Sequence, residues 1–281
     1  LTFTPDDNST YFILFSCVYG QSTNNNTQGN IRLRHDTASA TLAEASREPF
    51  TQTADIEYVP FAGIVEVTFG ASPGSQTFSI EIANETSTHV VRCRDAVLVA
   101  IKKGANDQSA SSTGTSTSTS TTYVDKGSLS FTPPSTGDYL ILGYLEIISS
   151  ATTNTANVRL LLEDGSTAIA TTTHSMVDTQ DRTGYSVAYV RSLASGASRT
   201  VKMQFNRASG SGTITASKAY IVALRLSDFT DADSAQDTTN RTSTSNSYVA
   251  RNAASTLTFT PGATVDHLVI GSSHLGADGT S

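Results

Sequence analysis

Tryptophan is absent from this 281-residue chain, methionine and cysteine occur twice each, and charged residues make up only 15% of it. Each shortage narrows what the chain does. Two cysteines, Cys17 and Cys93, cannot build a disulfide framework. Neither belongs to a Cys-x-x-Cys pair or has a histidine at ligand spacing, so a zinc site is excluded as well. They fit one disulfide in an oxidising compartment, or two thiols packed as small hydrophobes, and they do not decide the compartment. Basic residues are scarce too: 18 Lys and Arg against 25 Asp and Glu give a net charge of −7, with a pI near 5.1. Tracking a phosphate backbone needs clustered cations, so nucleic acid is not expected as a partner. The longest apolar stretches, Tyr11 to Tyr19 and Tyr139 to Ile148, are far short of the ~20 residues a membrane-spanning helix needs, and no membrane partner is expected.

What the chain has is repetition. Leu1-Thr-Phe-Thr-Pro5 returns as Leu129-Ser-Phe-Thr-Pro133 and again as Leu257-Thr-Phe-Thr-Pro261, a spacing of 128 each time (129 − 1 and 257 − 129). Tyr11-Phe-Ile-Leu-Phe15 is answered by Tyr139-Leu-Ile-Leu-Gly143 and His267-Leu-Val-Ile-Gly271 at the same spacing. Ile31-Arg-Leu33 matches Val158-Arg-Leu160, and Ala96-Val-Leu-Val-Ala-Ile-Lys102 matches Ala219-Tyr-Ile-Val-Ala-Leu-Arg225. A fixed long period means one folding unit copied along the chain. A Tyr-Val pair precedes the second and third copies, at Tyr123 and Tyr248, and is read as the start of a unit. The expected organisation is a first repeat at 1–105 lacking its first strand, a Ser/Thr-rich linker at 106–122, and a second repeat at 123–228. A polar linker at 229–247 and a partial third repeat at 248–281 follow. Both ends are then expected to fall inside a unit, as in a slice of a longer protein. On that reading the partial third unit is able to donate strands to a neighbouring chain.

The repeats read as all-β. Apolar residues alternate at period two, as in Phe78, Ile80, Ile82 and Val201, Met203, Phe205, with no competing helical period. Turn chemistry punctuates them at Pro134-Ser-Thr-Gly137, Glu163-Asp-Gly-Ser166 and Ser209-Gly-Ser-Gly212. Unbroken runs such as Tyr220-Ile-Val-Ala-Leu224 point to strands covered on both faces. Seven or eight such strands per unit predict tandem antiparallel β-sandwiches of jelly-roll type, each large enough for its own core. Cys17 and Cys93 correspond to Leu145 and Ala216 in the second copy, so the fold does not require them.

Few residues suggest chemistry. His35, His89, His174, His267 and His274 are scattered, and His267 stands where the second copy has Tyr139. Asp6-Asp7 and Glu163-Asp164 lie in turns, where neighbouring carboxylates are ordinarily solvated. The carboxylates of Asp228, Asp231, Asp233 and Asp237 are the best candidate for calcium. Counted from Asp231, however, the loop has Gln236 where glycine should stand and Thr242 where glutamate should, so a solvated linker is the simpler reading. No enzyme, cofactor, catalytic residue or metal ligand is predicted. Tyr19, Tyr58, Tyr144, Tyr185 and Tyr189 are the aromatic faces on which a host-surface glycan would stack, although a core or inter-sheet role is the commoner outcome for such tyrosines and none is named as a binding residue. Asn8, Asn25, Asn84 and Asn240 meet the N-glycosylation pattern, which arises by chance in a chain this rich in Ser and Thr.

The sequence from Tyr-Val through Leu-Thr-Phe-Thr-Pro, Asp138-Tyr-Leu-Ile-Leu142, Val158-Arg-Leu-Leu-Leu-Glu-Asp-Gly165 and Ala219-Tyr-Ile-Val-Ala-Leu-Arg-Leu226 resembles repeats in structural proteins of tailed phages, across both full units. Those repeats are jelly-roll-like modules of fibres and of capsid or tail decoration. The resemblance implies a multicopy, non-enzymatic protein on a virion surface, partnered by other virion proteins and by its own copies. It carries over no site residue. A secreted adhesin with carbohydrate-binding sandwiches is the alternative.

Overall fold

Strand follows strand in the computed structural model of the chain, which describes residues 1–22, 29–47, 57–84, 90–152, 154–162, 166–175, 182–229, 232, 234–235, 257–258 and 268–271. The first repeat holds β1 (Thr2–Phe3), β2 (Thr10–Ser22), β3 (Gly29–His35), β4 (Ala40–Arg47), β5 (Glu57–Thr68), β6 (Gln76–Asn84) and β7 (Val90–Lys102). They make two antiparallel layers, β5-β2-β7 and β1-β6-β3-β4. The second repeat holds β8 (Gln108–Ser112), β9 (Ser116–Ser118), β10 (Val124–Phe131), β11 (Gly137–Ser149), β12 (Thr155–Leu162), β13 (Thr167–Ser175), β14 (Arg182–Leu193), β15 (Arg199–Ser209) and β16 (Ile214–Arg225). Its layers are β14-β11-β16-β8 and β10-β15-β12-β13.

The repeat seen in the letters is a repeat in the pairing. Tyr11 faces Lys102 as Tyr139 faces Arg225, and Ile31 faces Ile82 as Val158 faces Phe205. Side chains alternate accordingly. Ile13, Phe15, Cys17 and Tyr19 of β2 point into the first core, and Tyr139, Ile141, Leu145 and Ile147 of β11 point into the second. One pair of positions exchanges bulk between copies: Phe15 lies opposite Gly63, whereas Gly143 lies opposite Val187. A Cβ on Gly143 would sit 2.8 Å from Met203 Sδ and 3.0 Å from Val187, so glycine is what lets this layer close.

The expected linker at 106–122 is corrected by the structure, because β8 and β9 lie within it. Both pair antiparallel with β16, from Gln108 opposite Ala223 down to Ser118 opposite Ile214. An edge strand is held by backbone hydrogen bonds, and β-branched Thr favours extended backbone, so the absence of large apolar residues did not prevent folding. Lys126, buried in the bulge between Asp125 and Gly127, donates to the Gly114 carbonyl at the break between β8 and β9. The second unit therefore starts ahead of its Tyr-Val. Counting β8 and β9 as one strand, its eight strands are ordered 1-8-3-6 over 2-7-4-5, a jelly roll. Only residues 103–107 separate it from β7. The polar linker at 229–247 and the partial repeat at 248–281 fall mostly outside the described residues.

Cys17 and Cys93 are both free thiols on the neighbouring strands β2 and β7. Cys17 is buried, and its Sγ reaches the Phe61 carbonyl at 3.8 Å. Burial first, and Cys93 beside it second, push the Cys17 thiol far above its ordinary range. A buried thiol that resists ionisation is a poor nucleophile. In the native chain a maleimide or disulfide reagent at neutral pH should modify Cys93 while Cys17 stays unlabelled until the chain is unfolded, which mass spectrometry of labelled peptides will show.

Candidate functional site at the seam between repeats

An antiparallel strand has two faces, and β2, β5, β11 and β16 are apolar on both. The inward faces fill the two cores. The outward faces present Phe12 and Ile64 from the first repeat and Leu142, Val222 and Leu224 from the second, and these form one buried cluster. Leu14, Leu140 and Ala188 pack against its margin. The two sandwiches are thus joined sheet to sheet along a closed seam.

Tyr144 sets the distance between the sheets. It projects from β11 into the first repeat's core cluster, fully buried, with its ring edge-on to Phe15 at a centroid separation of 5.7 Å. Two glycines make room: a Cβ on Gly63 would lie 2.5 Å from Tyr144 Cδ2, and one on Gly184 would lie 3.0 Å from its ring and hydroxyl. The equivalent of Tyr144 in the first repeat is Ser16 (144 − 128), so this peg exists on one side only.

Beside the peg lies a charged cluster. Glu146 is fully buried; its Oε1 accepts from Arg182 Nη1 at 3.0 Å and from the Ser217 hydroxyl, and its Oε2 accepts from the Glu44 backbone N–H at 3.1 Å. Arg182 pairs with the Glu44 carboxylate as well. A bulge makes this possible. Lys218 lies opposite Glu146 but Ala216 lies opposite Ile147, so Ser217 is the extra residue and turns its hydroxyl toward the carboxylate. Lys218 Nζ donates to the Thr41 carbonyl across the seam at 3.2 Å. One backbone bridge, Arg182 to Ser46, joins β14 to β4. At the far end Lys103 contacts Glu66 at 3.2 Å and Ser109 at 2.6 Å, which ties the short connection to both units.

Burial pushes the Glu146 carboxyl above the ordinary glutamate range, against the opposing pull of Ser217, Lys218 and Lys126. Burial holds Lys218 and Arg182 below their usual values, and Glu146 draws Lys218 back up. Buried ion pairs contribute little net stability but penalise any docking that leaves a charge without its partner. This cluster therefore fixes the orientation of the two sheets more than it glues them. All its groups engage one another across a closed surface, an arrangement suited to fastening.

Of the residues weighed from the sequence, Tyr144 is the seam's peg and the other described ones are placed elsewhere. His35 is buried and stacked on Phe78 at 4.4 Å, with Nε2 2.7 Å from Gln76 Oε1. Asp6 pairs with Lys102 at 2.5 Å and Asp7 accepts from the Ser72 backbone at 2.8 Å, so both serve their turn. Tyr19 and Tyr144 are buried, and Tyr185 and Tyr189 lean on the second core, so none of these four is a free platform for a sugar. Asp228 is held by Arg225 and Asn106. His89, His267, His274, Glu163, Asp164, Asp231, Asp233 and Asp237 lie outside the described residues, as does the side chain of His174. Among the described residues no three His, Cys, Asp or Glu groups gather as a metal site. The seam residues Glu146, Arg182 and Lys218 were missed by the sequence reading, and Tyr144 was weighed there only as a sugar-stacking or core ring. One signal was available, a lone glutamate inside the apolar run Tyr139 to Ile148.

No family model and no curated protein matches the chain. Among solved structures it is similar to the VP2 protein of infectious bursal disease virus in T=1 particles, at 8% identity and a TM-score of 0.33, over 80% of this chain and 68% of that one. The Gx strain of that virus gives 9% identity and a TM-score of 0.29, over 82% and 71%. The insecticidal delta-endotoxin Cry8Ea1 of Bacillus thuringiensis gives 11% identity and a TM-score of 0.26, over 79% and 54%. All three are loose likenesses.

Two outcomes test the seam. Gly63→Ala should destabilise the chain by about 1–3 kcal/mol through overpacking, and Tyr144→Ala in the same chain should recover part of that loss in a double-mutant cycle. The second concerns pH. Because the folded chain holds the Glu146 proton more tightly than the unfolded chain, whose value is near 4.5, the stability this group contributes is complete below that value and is lost as pH rises through the raised folded value. Denaturant titrations from about pH 4 to about pH 8 should show the wild type losing stability relative to Glu146→Gln as pH rises.

Proposed function

We propose that this chain is a structural module of a virion surface, a pair of jelly-roll units fastened face to face that acts by being copied and stacked and not by catalysis. The observation that carries the reading is the seam: a charge-locked, apolar joint that holds two duplicated sandwiches in one orientation. A rigid spacer of a fibre or a decoration protein needs such a joint, because a flexible linker would let successive units point at random. The resemblance of both units to tailed-phage structural repeats supports the same reading. Contact with neighbouring virion proteins and with a host surface would then come from many weak contacts summed along repeated units. Host-surface glycan is the partner of the adhesin reading, and the burial or core packing of Tyr19, Tyr144, Tyr185 and Tyr189 leaves that reading without a stacking residue among them.

Immunogold labelling with an antibody raised against the recombinant chain tests the proposal. Purified particles should carry many copies per virion. Label confined to cell envelopes or secreted material, with bare particles, would overturn it in favour of the adhesin.

A further inference from the structure

The chain's two thiols share one core. Cys17 belongs to the buried cluster of the first unit, and Cys93 packs against that cluster. Their strands β2 and β7 run side by side, with Tyr19 opposite Cys93 and Val18 opposite Arg94. The register then breaks: Ser16 faces Val97, so Cys17 is set against a bulge formed by Asp95 and Ala96. Asp95 takes the left-handed conformation at φ 56°, and both bulge residues are exposed, so neither sends a side chain into the core across from Cys17. The inward side chains of β7 that flank this gap are Cys93 and Leu98. Cys93 acts on the Cys17 thiol through a side-chain hydrogen bond and through its charge.

The second unit serves as an internal control. Leu145 and Ala216 occupy the same two positions, both fully buried, with Ala216 opposite Ile147 as Cys93 is opposite Tyr19. An apolar pair therefore fills the contact without sulfur. Cysteine occurs nowhere else among the 281 residues, so finding both copies of it on one contact points to a shared task for the pair.

We propose that Cys17 and Cys93 are a disulfide-forming site, reduced in a reducing compartment and joined across β2 and β7 once the chain meets an oxidising medium. The oxidant is a small disulfide of the oxidised-glutathione class. Cys93, the more accessible thiol, loses its proton and attacks one glutathione sulfur; the S–S bond of the reagent breaks and one glutathione leaves as its thiolate. Cys17 then gives up its proton and attacks the Cys93 sulfur, expelling the second glutathione. The two protein thiols lose two electrons and two protons, and the reagent takes them up as two thiols. Burial holds Cys17 in its protonated form, which slows the second step, but that step is intramolecular and quickens as pH rises. A maleimide on Cys93 is a dead end, whereas a mixed disulfide there is the intermediate. The inference stands on the core contact, independently of whether the chain belongs to a virion.

The test equilibrates the full 281-residue chain with mixtures of oxidised and reduced glutathione. Mass spectrometry should show a loss of about 2 Da, and a non-reducing digest should yield one peptide pair linked through Cys17 and Cys93. The bond closes a loop of 76 residues (93 − 17), so melting should rise by roughly 5 °C or more over the reduced chain. Cys17→Leu and Cys93→Ala carry the residues of the second copy and keep the core filled. In oxidised glutathione Cys17→Leu should stop at a stable adduct on Cys93, Cys93→Ala should stay unmodified, and neither should gain stability. A glutathione adduct that persists on Cys93 of the wild type, two thiols that stay free at every ratio, bonds between chains, or an internal bond that forms only in denaturant would overturn the proposal. So would an internal bond that leaves melting unchanged or lowers it, since the contact would then be bridged only under strain.

Discussion

Two sheets that are greasy on both faces have to be covered twice, and that requirement organises this molecule. The inward faces of β5-β2-β7 and β14-β11-β16 are covered by the second layer of their own sandwich. Among the described residues nothing within either unit covers Phe12, Ile64, Leu142, Val222 and Leu224; the units cover one another. At about 25 cal/mol for each Å² of apolar surface, leaving such a face wet would cost a domain a large share of its stability. The pairing of units is therefore a condition of the fold and not an accident of tethering.

Apolar contact alone would let the sheets slide and rotate. The Tyr144 peg between Gly63 and Gly184 and the Glu146–Arg182–Glu44 cluster remove that freedom, one by shape and the other by the cost of stranding a charge. Neither device is repeated in the first unit, where Ser16 and Val18 stand at the positions of Tyr144 and Glu146. Duplication supplied two like modules; the joint arose where they ceased to be alike.

Much of this was legible in the residues. Period-two alternation marked the chain as strands, and the repeat spacings carried most of the strand register from one copy to the other; at the bulges the copies part by one residue, Val18 facing Arg94 where Glu146 faces Lys218. The continuous run Tyr220 to Leu224 was rightly read as covered on both faces, but its outer cover is the neighbouring repeat. What stayed hidden had physical reasons. Strands β8 and β9 have no apolar period because their backbone, not their side chains, holds them in the sheet. The seam was invisible because a glycine that admits a distant ring looks like any other glycine. Charge partners such as Glu146 and Arg182 are 36 residues apart and meet only through the fold.

The exchange of bulk between Phe15/Gly63 and Gly143/Val187 bears on how such a gene can evolve. Tandem copies invite unequal crossing-over, which shuffles segments between modules. A hybrid that joined the Phe15 strand to the Val187 strand would drive two large groups into one space, and its reciprocal would oppose Gly143 to Gly63 across a void. Recombinants broken between those strands should be purged, so the arrays that survive will grow or shrink by whole modules.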